Sequence, residues 1–203
     1  MISPDSGIVE IPLRQEWYRL PVDDAEPELA LNTVLESFEL ESPDTIARLG
    51  WGLRAVSSVA AGLPRGSRES RALVRNPASG HVDALLSVRI RPVSAGDYDE
   101  YLAAAQGLTG SESVELIRRE VDEVQVPLGR GIVSHDFTYP VMREGVADPA
   151  MERTFLAVYP DAEAVCLEFT LLTQDFALFT DAPAFLVELA AGGNPPIPGM
   201  DQE

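Results

Sequence analysis

Apolar and polar positions along the chain change rhythm several times, and each change marks an element. Ile8, Val9, Ile11 and Leu13 precede Trp17, Tyr18 and Leu20, with Pro12 and Pro21 as punctuation, which reads as one or two short strands with proline at an edge or end. The rhythm then turns helical. Leu29, Val34, Leu35 and Phe38 fit one face of a helix over 28–40, and Ile46, Leu49, Leu53, Val56 and Ala60 fit one face of a second over 44–62, with Ser42 or Asp44 as its cap. Gly50-Trp51-Gly52 lowers helix propensity at the centre of the second helix, so close packing against a flat neighbour such as a sheet is expected there.

From residue 67 the period falls to two. Runs up to Val74 and from His81 to Pro92, joined by Asn76-Pro77-Ala78-Ser79-Gly80, predict a hairpin. An Ala-rich helix follows over 97–107, with Tyr98, Tyr101, Leu102 and Ala105 on one side. A second hairpin turns at Pro127-Leu128-Gly129. The runs 153–160 and 164–173 are the most apolar, so they are expected to pair antiparallel as central strands. The span 175–190 predicts a closing helix that Pro183 starts or kinks, stopped by Gly192-Gly193, and residues 194–203 read as a flexible tail. The whole predicts a single α+β domain over 1–193: an antiparallel β-sheet flanked by helices, with a helical insertion after the first strands.

Composition narrows the chemistry. The 203 residues are 45% hydrophobic and carry 33 acids against 15 basic residues, a formal charge of −18. Every basic residue is Arg, which removes reactions that need a lysine, such as Schiff-base formation. Phosphate backbones and anionic lipid surfaces repel such a charge, so neither nucleic acid nor a membrane is an expected partner. The opening MISPDSGIVEIPL lacks the basic-then-apolar order of a signal peptide, and a cytoplasmic location is expected. The arginine-only basic set suits a bacterial source.

The charge is uneven. Residues 51–91 hold seven Arg and two acids, and Arg65, Arg68, Arg71 and Arg75 fall within eleven residues. With Arg54 and Trp51 they form a possible interaction surface; the plainer reading pairs these guanidinium groups with the chain's own carboxylates. Trp17 and Tyr18 beside Trp51 are either core or the lining of an apolar groove.

Catalytic constellations are not evident. Ser134, His135 and Asp136 are consecutive in a strand, where neighbouring side chains alternate between faces, so they do not form a triad. Cys166 lies in an apolar strand, where burial suppresses the thiolate. His81 reads as a turn residue. Asp97-x-Asp99-Glu100 and Asp122-Glu123 lack a calcium-loop pattern, and Gly129-Arg130-Gly131 lacks a phosphate-loop context. No catalytic residue, metal or cofactor is assigned.

The opening GIVEIPLRQEW, a strand followed by proline and then tryptophan, resembles the PsbP-like fold. So do the short helix at 97–107 ahead of paired strands, the apolar runs 153–160 and 164–173, and the Phe-rich closing helix. That resemblance implies a small antiparallel sheet flanked by helices and a non-catalytic binding or accessory role. The helices at 28–40 and 44–62 depart from it as a long insertion, and no family site residue carries over.

The expected function is therefore a non-enzymatic accessory or protein-interaction module with a protein partner and an unspecified oligomeric state. The alternative is a small-ligand-binding protein or hydrolase with a pocket near His135.

Overall fold

The period-two segments fold as strands and the period-3.6 segments as helices. The computed structural model describes residues 2–3, 8–9, 13–22, 25–64, 67–108, 114–140, 150–161 and 164–197. In chain order the elements are β1 (Ile2–Ser3), β2 (Ile8–Val9), β3 (Trp17–Arg19), α1 (Pro27–Glu36), α2 (Pro43–Gly62), β4 (Ser67–Leu73), β5 (Ala84–Pro92), α3 (Asp97–Gly107), β6 (Val114–Val126), β7 (Gly129–Pro140), β8 (Met151–Pro160), β9 (Val165–Thr173) and α4 (Ala182–Ala190).

β1 and β2 pair with each other, while the other seven strands form one antiparallel sheet in the order β3-β4-β5-β9-β8-β7-β6. The fold is α+β with α1 and α2 inserted after the first strands. The two most apolar runs, β8 and β9, lie side by side in the interior of the sheet.

Alternation along the strands divides the sheet into two faces. On one, Leu86, Val88, Leu156, Val158, Leu167, Phe169 and Leu171 pack under α4, whose Phe185, Leu186 and Leu189 are buried. On the other, Ala72, Leu85 and Leu172 lie beneath α1 and α2. The same face carries Ile132, Ala157 and Cys166 beneath Tyr98 of α3. Ser42 caps α2, its side chain accepting from Thr45 N–H, and Asp181 caps α4 by accepting from Ala184 N–H at 2.8 Å.

Five local expectations are corrected. α1 ends at Glu36 rather than 40, and Glu39 then adopts φ 50°, outside helical geometry. Its inward stripe is Leu31, Val34, Leu35 and Phe38, which keeps the i, i+3, i+4, i+7 spacing, whereas Leu29 is exposed. The close neighbours of the α2 glycines are Leu35 of α1, near Gly50, and Val82, near Gly52, instead of a sheet surface. α4 starts at Ala182, not 175, with Pro183 in its first turn, where a missing N–H is harmless. The chain after Gly193 does not leave the fold at once: Ile197 is 0% exposed in the α4 core, and residues 198–203 lie outside the described residues.

The turn between β6 and β7 requires a glycine. Gly129 has φ 154°, and a Cβ there would stand 2.2 Å from the Tyr159 carbonyl oxygen. Both sheet edges are protected against adding a further strand. β3 is three residues long, and β6 carries Glu115, Arg118, Arg119, Glu120, Asp122 and Glu123.

Candidate functional site: the outer face of the helical insertion

α2 buries Leu49, Leu53, Ser57 and Ala60, so its opposite side faces outward. Asp44, Ala47, Trp51, Ala55 and Ser58 follow one another on that side at steps of three and four, and Trp51 at their centre is 75% exposed. An indole this exposed, with Ala47 and Ala55 one turn to either side and Arg48 and Arg54 beside it at i−3 and i+3, leaves a large apolar area in water. The helical insertion also exposes carboxylates, Glu28 and Glu36 on α1, Glu39 and Glu41 in the connection, and Asp44 at the start of α2, of which Asp44 shares the Trp51 side. Leu29 on α1 is exposed as well.

The arginines of the basic segment do not gather into one patch. Arg54 spans to α1, donating from Nε to Glu28 at 3.0 Å and from Nη2 to the Asn32 side-chain oxygen at 3.2 Å. Arg71 donates to Glu69 at 2.6 Å and to the Trp17 carbonyl at 3.2 Å. Arg75 grips Asp83 through Nε at 3.0 Å and Nη2 at 2.8 Å, and reaches Asp175 at 3.1 Å. Arg65 and the Arg68 side chain lie outside the described residues. Arg54, Arg71 and Arg75 are thus tied to carboxylates of this chain at three separate places.

Of the two readings of Trp17, Tyr18 and Trp51, core or groove lining, Trp17 takes the first, and no groove joins it to Trp51. Trp17 is buried under α4, 6.3 Å from Phe185, while Tyr18 turns to the other face and packs on Phe38 at 4.4 Å. Trp51 stands apart in solvent.

His135 and Asp136 point to opposite faces of the sheet. His135 Nε2 lies 2.7 Å from Glu152 Oε1, on the α4 side. Asp136, 0% exposed, is held on the far side by Arg119 Nε at 2.6 Å and by Arg153 at 3.2 Å. Burial raises the Glu152 carboxyl above the ordinary glutamate range, against the opposing pull of His135. Cys166 is fully buried, and burial pushes its thiol up to about 12. Asp97 accepts from Arg91 and from the Tyr159 hydroxyl, and Glu123 accepts from the Tyr98 hydroxyl. These acidic groups serve as structural acceptors, and among the described residues no group of three or more His, Cys, Asp or Glu is placed to hold a metal ion.

Sequence reading missed Glu152 as the partner of His135 and Thr154 as its neighbour across the strands. Their signal was present: Glu152, Thr154, Leu156 and Val158 share one face of a strand, which turns a carboxylate and a hydroxyl inward. The Asp136 pair was equally hidden, because Arg119 and Arg153 are brought together by register alone.

No protein-family model and no curated protein matches the chain. Among solved structures, a Pseudomonas aeruginosa protein of unknown function is similar at 17% identity and a TM-score of 0.36, covering 66% of this chain and 85% of that one. A likeness of that size carries no functional reading. No helix among the described residues is long and apolar enough to cross a membrane.

Proposed function

We propose that the protein is a non-enzymatic accessory module that docks a protein partner on the outer face of α2, with Trp51 as the central contact. The observation that carries this reading is the exposure of Trp51, 75%, at the centre of the outward side of α2, with Ala47 and Ala55 one turn away. Aromatic anchors of this kind supply a large share of the binding energy at interfaces. The matching partner segment is apolar at its centre and basic toward its edges, since the exposed carboxylates Glu36, Glu39, Glu41 and Asp44 outnumber Arg48 on the insertion, Glu28 and Arg54 being paired with each other. The protected edges of the sheet favour docking on a helix face over strand addition.

The PsbP-like resemblance of the opening strand and closing helix supports the same class of role, and the bacterial cytoplasm is the setting that the sequence suggests. Spatial separation of Ser134, His135 and Asp136, together with the buried thiol of Cys166, argues against hydrolysis there.

Co-purification from extract of the source cell, run in parallel with wild type, Trp51→Ala and Arg118→Ala on the far edge strand, tests the reading. A basic partner retained by wild type and Arg118→Ala but lost by Trp51→Ala supports it. Elution of the wild type alone, or retention unaffected by Trp51→Ala, overturns it.

A further inference from the structure

On the α4 side of the sheet, well away from the docking face, a cluster of polar groups is closed in without a full set of partners. Glu152 lies between Thr173 of β9 and Phe137 of β7 in the register, and Thr154 lies between Leu171 and His135. Only 5% of the Glu152 side chain and 16% of the His135 side chain are exposed. Glu152 Oε1 contacts His135 Nε2, but Glu152 Oε2 and the Thr154 hydroxyl are buried with no hydrogen-bond partner. A buried carboxylate oxygen without a donor is strongly unfavourable, and such a group calls for one that is missing.

The roof over this row is a single turn. Asp175 N–H donates to the Thr173 hydroxyl at 3.1 Å, and the chain then brings Phe176 edge-on to Phe137, with ring centroids 5.6 Å apart. Phe137 in turn meets the His135 ring at 4.8 Å. Residues 174–177 are all exposed, and Phe176 retains 48% of its surface in solvent. The charged groups around it are largely paired: Glu120, opposite His135 on β6, pairs with Arg118, opposite Phe137, and Arg75 is committed to Asp83 and Asp175, while Asp175 acts on Glu152.

We propose that this enclosure binds a small organic cation with N–H donors, an alkylammonium or alkylguanidinium group, which hydrogen-bonds Glu152 Oε2 and lies against the rings of Phe137 and Phe176. A carboxylate oxygen accepts and cannot donate, which selects a donor. The faces of the two rings attract a positive charge. Thr154, able to donate or accept, completes the polar wall.

The test uses ethylguanidinium, ethylammonium and the neutral isostere ethylurea at millimolar concentrations. Binding is followed through the His135 ring resonances in nuclear magnetic resonance and through the thermal midpoint. Both cations are expected to give saturable shifts of the His135 signals and a raised midpoint, with ethylurea silent. Glu152→Gln should weaken cation binding about tenfold or more, and Phe176→Ala should weaken it less. Trp51→Ala should leave it unchanged, which separates this site from the docking face. Should Glu152→Gln fail to fold, the contrast between cation and urea in the wild type and in Phe176→Ala still decides. An absent or non-saturable response, a response to ethylurea equal to that of the cations, or Glu152→Gln binding like wild type overturns the proposal and leaves a buried water as the occupant.

Discussion

Trp51 and Leu53 are two residues apart on α2 and differ as far as side chains can: Trp51 is 75% exposed and Leu53 is 1% exposed. The helix turns about 200° between them, so the residue that anchors α2 to the sheet and the residue offered to solvent are set by the same periodicity. Replacement of Leu53 disturbs the fold. Replacement of Trp51 is expected to change stability by no more than about 0.5 kcal/mol, as for surface positions without partners. Urea unfolding of Trp51→Ala checks this, and a larger loss would mean that the indole has a structural task.

Asp136 is the most deeply buried charge on the α3 side. Arg119 and Arg153 both hold it, and removing it leaves two guanidinium groups facing each other across β7. Asp136→Asn should destabilise the fold by roughly 3–5 kcal/mol, the usual consequence of breaking a buried pair. Denaturant midpoints measure it; a loss below about 1 kcal/mol would show that water screens the cluster.

Ile197 ties the end of the described chain to the core beneath α4. Ile197→Ala should destabilise by roughly 2–5 kcal/mol, and truncation after Gly193 should cost at least as much. An unchanged melting temperature in the truncated chain would contradict this placement.

The Cys166 thiol, pushed up to about 12 by burial, should resist thiol reagents in the native protein at pH 8 and react at once in denaturant. The native rate then reports opening of β9 rather than thiol chemistry. Native modification as fast as that of a free thiol would contradict the burial.

Glu152 sets a pH dependence whose sign follows from its raised folded pKa. Burial stabilises the protonated form in the folded chain relative to the unfolded one, so this group's contribution to stability is complete below the ordinary glutamate pKa and is lost as pH rises through the folded value. Relative to Glu152→Gln, the wild type should therefore lose stability as pH increases from about 4.5, the ordinary glutamate value. Parallel unfolding curves over that range test it, and a difference independent of pH contradicts it.

The sheet was legible because β4 to β7 show period-two stretches with turns at Asn76 to Gly80 and Pro127 to Gly129, while β8 and β9 stood out as continuous apolar runs. Helix boundaries were less so. Leu29 is apolar yet exposed, which shifted the inferred face of α1, and Asp175 to Phe179 form a turn whose aromatic content resembles a helix face. Sites formed across strands were the least legible. His135 with Glu152 and Asp136 with Arg119 are each 17 residues apart, and only register decides that they meet. Trp51 was singled out by the sequence as part of an interaction surface with the arginines, but Arg71 and Arg75 are tied to carboxylates elsewhere in the fold, and burial of Trp17 under α4 separates it from Trp51.

A photo-crosslinking residue placed at Ala55, one turn from Trp51, tests the docking face most directly. Illumination in the source cell should join the protein to a basic partner from position 55 but not from Asp122 on the edge strand, and the product should disappear when Trp51→Ala is added. Crosslinking that is absent at position 55, equal at both positions, or indifferent to Trp51→Ala would contradict the assignment of α2 as the docking surface.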